Sequence, residues 1–209
     1  MRKEIFADGE YYHIFNRGVD KRKIFLHNGH YIRFLKTIHN LLASGKVHQK
    51  TEYDQSLAFS TKLSFLGYCL MPNHHHFLVR QKEEGGISHF MHQLNTSYTK
   101  YFNLNHKRTG RLFEYTFKAV HIESEEQLLH VSRYIHLNPL ISNVVTDLRL
   151  YPWSSYLDYI GVRGGKLCQK EEILGLLSKG KPEKRYEEFV LNQVDYARIL
   201  KDVKNLLFE

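Results

Sequence analysis

Apolar and polar residues along this chain follow two rhythms, one of period two and one close to four. Tyr11-Tyr12-His13-Ile14-Phe15 is rich in aromatic and β-branched residues and stops at the turn signal Asn16-Arg17-Gly18, which predicts a first strand. Tyr31, Phe34, Leu35, Ile38, Leu41 and Leu42 then recur at helical spacing. From Lys62 to Leu70 the pattern is strand-like again, Pro72-Asn73 marks a turn, and His74 to Arg80 returns, which predicts a hairpin. After Gly85-Gly86, the residues Ile87, Phe90, Met91, Leu94, Tyr98, Tyr101 and Phe102 form the apolar stripe of a second helix.

The stretch from Asn105 to Arg111 carries Lys107, Arg108 and Arg111 without apolar periodicity and reads as an exposed loop. A strand from Phe117 to Ile122 follows. Ser124-Glu125-Glu126-Gln127 has the form of a capping box and opens a third helix. That helix is expected to end near Asn138, because Pro139 disfavours helical conformation in the residue before it. The order strand, helix, two strands, helix, strand, helix predicts an α+β fold: a ferredoxin-like or RRM-like antiparallel sheet with helices packed on it.

Beyond Tyr151-Pro152-Trp153-Ser154-Ser155-Tyr156, the glycines Gly161, Gly164 and Gly165 look like a boundary. We therefore expect a main domain over 1–160 and a small C-terminal helical extension over 161–209. The extension's periodic residues are Ile173, Leu174, Leu176 and Leu177, then Tyr186, Phe189, Val190, Val194, Ile199 and Leu200.

Composition narrows the class. A chain of 209 residues holds one domain with a good core and one main site. Lys and Arg number 30 against 22 Asp and Glu, a net charge of +8 that points to a polyanionic partner. Most of that excess falls before Gly161, in the same part of the chain as the histidine run at 74–76. Cys69 and Cys168 are far apart and not in a C-x-x-C arrangement, which argues against a disulfide framework or a zinc ribbon and fits a reducing cytoplasm. Asp8-Gly9-Glu10 interrupts any secretory signal near the N-terminus, and no stretch approaches the length of a membrane span. A soluble intracellular protein with access to DNA or RNA is expected.

The candidate chemistry starts at Met71-Pro72-Asn73-His74-His75-His76-Phe77-Leu78-Val79. On a strand His74 and His76 share a face while His75 turns to the other with Phe77 and Val79. Two neutral imidazoles on one face supply part of a coordination shell for a divalent ion. The pattern alone is explained more simply by polar histidines flanking a turn. On the helix opened by Ser124, Gln127, His130, Tyr134 and Asn138 form a polar stripe beside Leu128, Val131 and Ile135. Tyr134 and Asn138, at i and i+4, would deliver a hydroxyl and a carbonyl oxygen to one point, although most tyrosines serve cores and an Asn before Pro often just closes a helix.

These residues carry a resemblance. Tyr12-His13-Ile14 with Asn16-Arg17-Gly18, Met71-Pro72-Asn73-His74-His75-His76, Tyr101-Phe102-Asn103 with Arg108-Thr109-Gly110, Arg133-Tyr134-Ile135-His136-Leu137-Asn138-Pro139 and Tyr151-Pro152-Trp153-Ser154-Ser155-Tyr156 occur in one order. The chain thereby resembles the HUH-type single-tyrosine transposases of the IS200/IS605 superfamily, most closely the REP-associated tyrosine transposases. It departs from them at His75, where the family usually has an apolar residue.

The resemblance implies that 1–160 is an HUH transposase-like catalytic domain, that His74, His76 and Asn138 bind a divalent metal, Mg²⁺ or Mn²⁺, and that Tyr134 is the nucleophile. It implies cleavage and rejoining of single-stranded or hairpin DNA through a 5′-phosphotyrosine, at REP-like sites, in the cytoplasm and near the nucleoid of a bacterium. His13, Arg17, Lys107, Arg108, Arg111 and Lys118 are the candidates for DNA contact, with His13 near the metal pair if its strand is adjacent. Monomer or homodimer stays open, since in dimeric relatives the tyrosine helix can be exchanged between subunits. Three other readings stay open too: a domesticated DNA-binding regulator of the same fold, another HUH nuclease such as a replication initiator or relaxase, and a metal-dependent hydrolase that uses water.

Overall fold

The computed structural model of the chain describes residues 6–43, 59–177 and 180–193. The elements run β1 (Tyr11–Arg17), α1 (Asn28–Ala43), α2 (Phe59–Lys62), β2 (Leu63–Met71), β3 (His74–Gln81), α3 (Gly86–Asn105), β4 (Lys118–Ile122), α4 (Glu125–Ile141), α5 (Tyr156–Tyr159), α6 (Glu171–Leu174) and α7 (Pro182–Leu191). The strands form one sheet in the order β2-β3-β1-β4, antiparallel at every pairing. The fold is α+β, a four-stranded antiparallel sheet with helices packed on it, as the period-two and helical stretches predict.

Both faces of the sheet are covered, and alternation decides which residue goes where. Tyr12 and Ile14 of β1 and Phe77 and Val79 of β3 meet Phe34 and Ile38 of α1 and Phe90, Leu94 and Tyr98 of α3 in one core. Leu66, Cys69 and Met71 of β2 and Leu78 of β3 meet Leu128 and Ile135 of α4 in a second. Tyr156, Tyr159, Ile173, Leu174, Tyr186 and Val190 are buried in that second core as well, so part of 161–193 lies against α4 and the sheet. The periodic residues Val194, Ile199 and Leu200 lie outside the described residues. Among the described residues no helix is long and apolar enough to cross a membrane.

α4 is capped much as the Ser124 signal requires. Ser124 Oγ accepts from the amide of Gln127 at 3.1 Å, while Gln127 Oε1 accepts from the amide of Glu123 at 2.8 Å, one residue beyond the reciprocal bond of the standard box. The helix does not stop at Asn138. It continues to Ile141 with Pro139 inside its last turn. Proline there removes only the bond to the Ile135 carbonyl, and burial of Leu137, Asn138, Pro139 and Leu140 outweighs the preference of a pre-proline residue for extended backbone. β2 likewise begins at Leu63, because Lys62 closes the short α2.

The segment after β1 is clamped onto the β2–β3 turn. Gly18 donates its amide to Asn73 O at 2.8 Å, and the amides of Ile24 and Phe25 both donate to Pro72 O, at 2.8 and 3.0 Å. The backbone folds so tightly that a Cβ on Gly18 would lie 2.3 Å from the Arg22 carbonyl oxygen. Replacing Gly18→Ala is expected to lower stability by about 2 kcal/mol and Tm by roughly 6 °C, because backbone must shift. Thermal denaturation followed by circular dichroism checks this, and an unchanged Tm would show that the turn gives way freely.

Candidate active site

β1 and β3 pair with Phe15 opposite His76 and Arg17 opposite His74, and Lys118 of β4 sits opposite Phe15 on the other side. Opposite residues of a ladder share a face, so His13, Phe15, Arg17, His74, His76 and Lys118 all look toward α4. There they line a cleft of ≈ 290 Å³ with Asn73, Glu114, Tyr115 and Tyr134, His13 lying just beneath. His75 turns the other way. Fully buried, its ring stacks on Phe77 and stands across Phe113 and near Phe34.

Each cleft histidine is held by one nitrogen. His74 Nδ1 lies 2.7 Å from Asn73 Oδ1, and the Asn73 amide nitrogen donates to Lys21 O at 3.2 Å, which fixes which end of the amide faces the ring. His74 therefore donates through Nδ1 and keeps a lone pair on Nε2. His76 Nδ1 lies 2.9 Å from His13 Nε2, while His76 Nε2 is buried with no hydrogen-bond partner among the described residues. A buried nitrogen without a partner is costly unless something binds it.

α4 brings the remaining groups. The Tyr134 ring stands edge-on to His13 and His76, with centroids 5.8 and 5.7 Å away, and the residue is 48% exposed. Asn138, 7% exposed, donates its side-chain amide to the Tyr134 backbone carbonyl at 2.8 Å, and it lies near enough to the Tyr134 phenol and the His74 ring to influence the proton affinity of both. All four of His74, His76, Tyr134 and Asn138 thus converge within a single chain.

A buried polar network fixes the rotation of α4. His136 Nδ1 meets the Tyr186 hydroxyl and His136 Nε2 meets Ser155 Oγ, both at 2.7 Å. Ser155 Oγ in turn accepts from the Tyr68 amide of β2 at 2.9 Å, and the Tyr186 hydroxyl donates to Ser132 Oγ at 3.0 Å. α4 is thereby tied to β2 and α7 by directional bonds as well as apolar packing.

Burial pulls the pKa of His13 down to about 4, and that of His74 to about 4 with help from the Arg17 charge, while His76 is pushed well below the usual histidine value. All three are neutral at pH 7, the form that binds a metal. Burial raises the Tyr134 pKa, an effect that the neighbouring Asn138 side chain partly offsets. The free phenol is therefore a weak nucleophile without a cation or base.

The candidate cations divide. Arg17 and Lys118 line the cleft; Arg17 pairs with Glu114 at 3.0 Å, and Lys118 Nζ lies 4.3 Å from the centre of the Tyr115 ring. Arg111 lines a neighbouring groove. Lys107 and Arg108 sit at the end of α3, where Arg108 folds back onto Asn103 Oδ1 at 2.7 Å and over the Phe102 ring, and neither lines the cleft. His13 is not a surface contact but the partner of His76. Sequence reasoning missed Asn73 as the orienting partner of His74, although it adjoins the histidines, and missed Glu114, whose place depends on how the 110–117 segment crosses the end of β1.

The donor set fits a divalent ion. Among the described residues no three His, Cys, Asp or Glu side chains are arranged to hold a metal; His74 and His76 offer two nitrogens, and the Asn138 amide oxygen is a candidate third donor. Two imidazoles and one amide make an open shell with room for substrate oxygens.

A model of the family Transposase IS200 like matches residues 9–138, more than half the chain and up to Asn138 itself. The chain belongs to the IS200-like transposase family. Membership places this transposase among DNA-processing, DNA-cleaving proteins. Among solved structures, the fold is similar to that of a REP-associated tyrosine transposase bound to a REP hairpin, with a TM-score of 0.59 and 14% identity over 78% of this chain and 86% of that one. No curated protein matches the chain.

The depressed histidine pKa values make stability depend on pH. His75 and His136, buried and held at about 3, stay neutral when folded but take up a proton near pH 6.5 when unfolded. Stability is therefore full above about pH 7 and falls as pH drops toward 4, by up to about 1.4 kcal/mol per pH unit for each such histidine. Thermal melts from pH 8 to pH 4.5 measure this, and a level Tm between pH 7 and pH 5 would contradict it.

Proposed function

We propose that the chain cleaves and rejoins single-stranded DNA at hairpin-associated sites through a 5′-phosphotyrosine at Tyr134. The observation that carries this reading is the meeting of His74, His76 and Tyr134 in one cleft, with the Tyr134 ring edge-on to His76 at 5.7 Å. It ties the candidate nucleophile to the candidate metal pair, so a phosphate seated at the histidines meets the phenol. Hairpin DNA enters the proposal because the fold neighbour is bound to a REP hairpin.

His74 and His76 through Nε2, with the Asn138 amide oxygen, would hold Mg²⁺ or Mn²⁺, which when bound withdraws charge from a phosphate and orients its oxygens. Tyr134 Oη forms a bond to phosphorus as the bond from phosphorus to the 3′ oxygen breaks. The phenolic proton passes to solvent and the departing oxygen takes up a proton as a 3′ hydroxyl. One phosphodiester is exchanged for another, so a 3′ hydroxyl can reverse the step without a nucleotide cofactor. Arg17 and Lys118 offset the charge of the phosphates, and His13 and Asn73 hold His76 and His74 in the ligating tautomer.

Incubating labelled single-stranded hairpin DNA with Mn²⁺ is expected to give a covalent adduct that survives denaturing gels. The adduct should fall at least about 10³-fold in Tyr134→Phe and vanish with EDTA. Equal cleavage by Tyr134→Phe would remove Tyr134 from its role and favour attack by water. Independently of turnover, Asn73→Ala and His13→Ala should each weaken Mn²⁺ binding about 10- to 100-fold in calorimetry. Unchanged affinity in both would dismiss them as orienting residues.

A further inference from the structure

Beside the cleft, a second groove of ≈ 280 Å³ runs along the outward face of α3. His92, Thr96, Thr99 and Lys100 recur there at helical spacing, and Arg111 faces them from the loop that follows the helix. Tyr115 lines both the cleft and the groove and stands between them, 47% exposed. The wall carrying Tyr115 is built in: the Asn16 side chain donates to Tyr115 O at 2.9 Å and to Thr116 O at 3.0 Å, and Asn95 of α3 donates to Thr116 O at 2.7 Å. Among the described residues, Lys100, Arg111 and Lys118 have no acidic partner.

Cations without acidic partners attract a polyanion, hydroxyls on the groove wall accept and donate to phosphate and sugar, and an exposed aromatic ring at the threshold offers a base a surface to stack on. This combination suits single-stranded nucleic acid better than a duplex, whose bases are already stacked on one another.

Resting on the reading of the cleft as a site of DNA cleavage, we propose that the α3 groove is a binding subsite for the unpaired nucleotides adjoining the scissile phosphate on one side. The strand passes from the cleft over Tyr115, with Lys118 at its ring, and its backbone continues between Lys100 and Arg111. Tyr115 stacks a base, and the two groove cations each neutralise a phosphate.

The test uses the full chain and a fluorescently labelled, 30-nucleotide random-sequence single strand, with binding read by anisotropy in EDTA over a series of salt concentrations. Tyr115→Ala is expected to weaken binding about tenfold. Lys100→Ala combined with Arg111→Ala should reduce the slope of log K against log salt by about 1.4, two contacts' worth for a single strand. Lys184→Ala with Arg185→Ala, on α7, serves as a control and should match wild type. All of these side chains are solvent-exposed or half-exposed, and thermal melts confirm that the variants fold. Wild-type affinity and slope in the groove variants would overturn the subsite while leaving the cleavage reading intact, since the Tyr134 adduct assay tests that reading separately. Failure of the wild-type chain to bind the strand would overturn the subsite as well, while failure of the adduct assay alone would overturn the cleavage reading.

Discussion

The antiparallel pairing of β1 with β3 is the constraint on which the cleft depends. With Phe15 opposite His76 and Arg17 opposite His74, the two central strands present His13, Arg17, His74 and His76 on one face. A slip of one residue would exchange His74 and His76 for His75, whose surroundings are Phe34, Phe77 and Phe113. The register is held because the same slip would turn Tyr12, Ile14, Phe77 and Val79 out of a core in which each is at most 2% exposed. The apolar side of the ladder thus positions the polar side.

The second requirement is that α4 present the correct stripe to that face. Apolar packing of Leu128 and Ile135 brings the helix to the sheet but constrains its rotation weakly, since a helix can roll on an apolar surface. The chain of Ser132, Tyr186, His136 and Ser155 adds bonds with fixed directions, and leaving any one of these buried groups unpaired costs on the order of 1–3 kcal/mol. Tyr134 and Asn138 inherit their orientation from this network. Residues far along the chain, Ser155 just before α5 and Tyr186 in α7, therefore help to aim a side chain at the centre of the cleft.

Electrostatically the cleft separates two tasks. Its histidines are buried (His13, His76) or half-buried (His74) and neutral, which keeps lone pairs available, while its cations stand nearer to solvent, where a permanent charge is tolerated. Glu114 tempers Arg17 but leaves Lys118 unpaired among the described residues. The result is a site with positive charge at its rim and neutral nitrogens beneath it.

Much of this was legible in the sequence because it follows from period. Strand alternation separated His75 from His74 and His76, helical spacing joined Tyr134 to Asn138, and the Ser124 cap located the start of α4. The end of that helix was not legible, because burial around Pro139 overrode a local preference. The tertiary partners were legible only in part: His13 could be placed near the metal pair only on the condition that its strand is adjacent, which the β1–β3 pairing meets, whereas Asn73 looks like any turn residue, and Glu114, Tyr115 and the His136 network belong to segments without a periodic pattern. By itself the sequence determined which side chains share a face, since that depends only on backbone geometry within one element. Which faces meet, and which nitrogen of each imidazole is left free, was decided only by the tertiary structure, because hydrogen-bond partners come from strands and helices that the chain must first bring together.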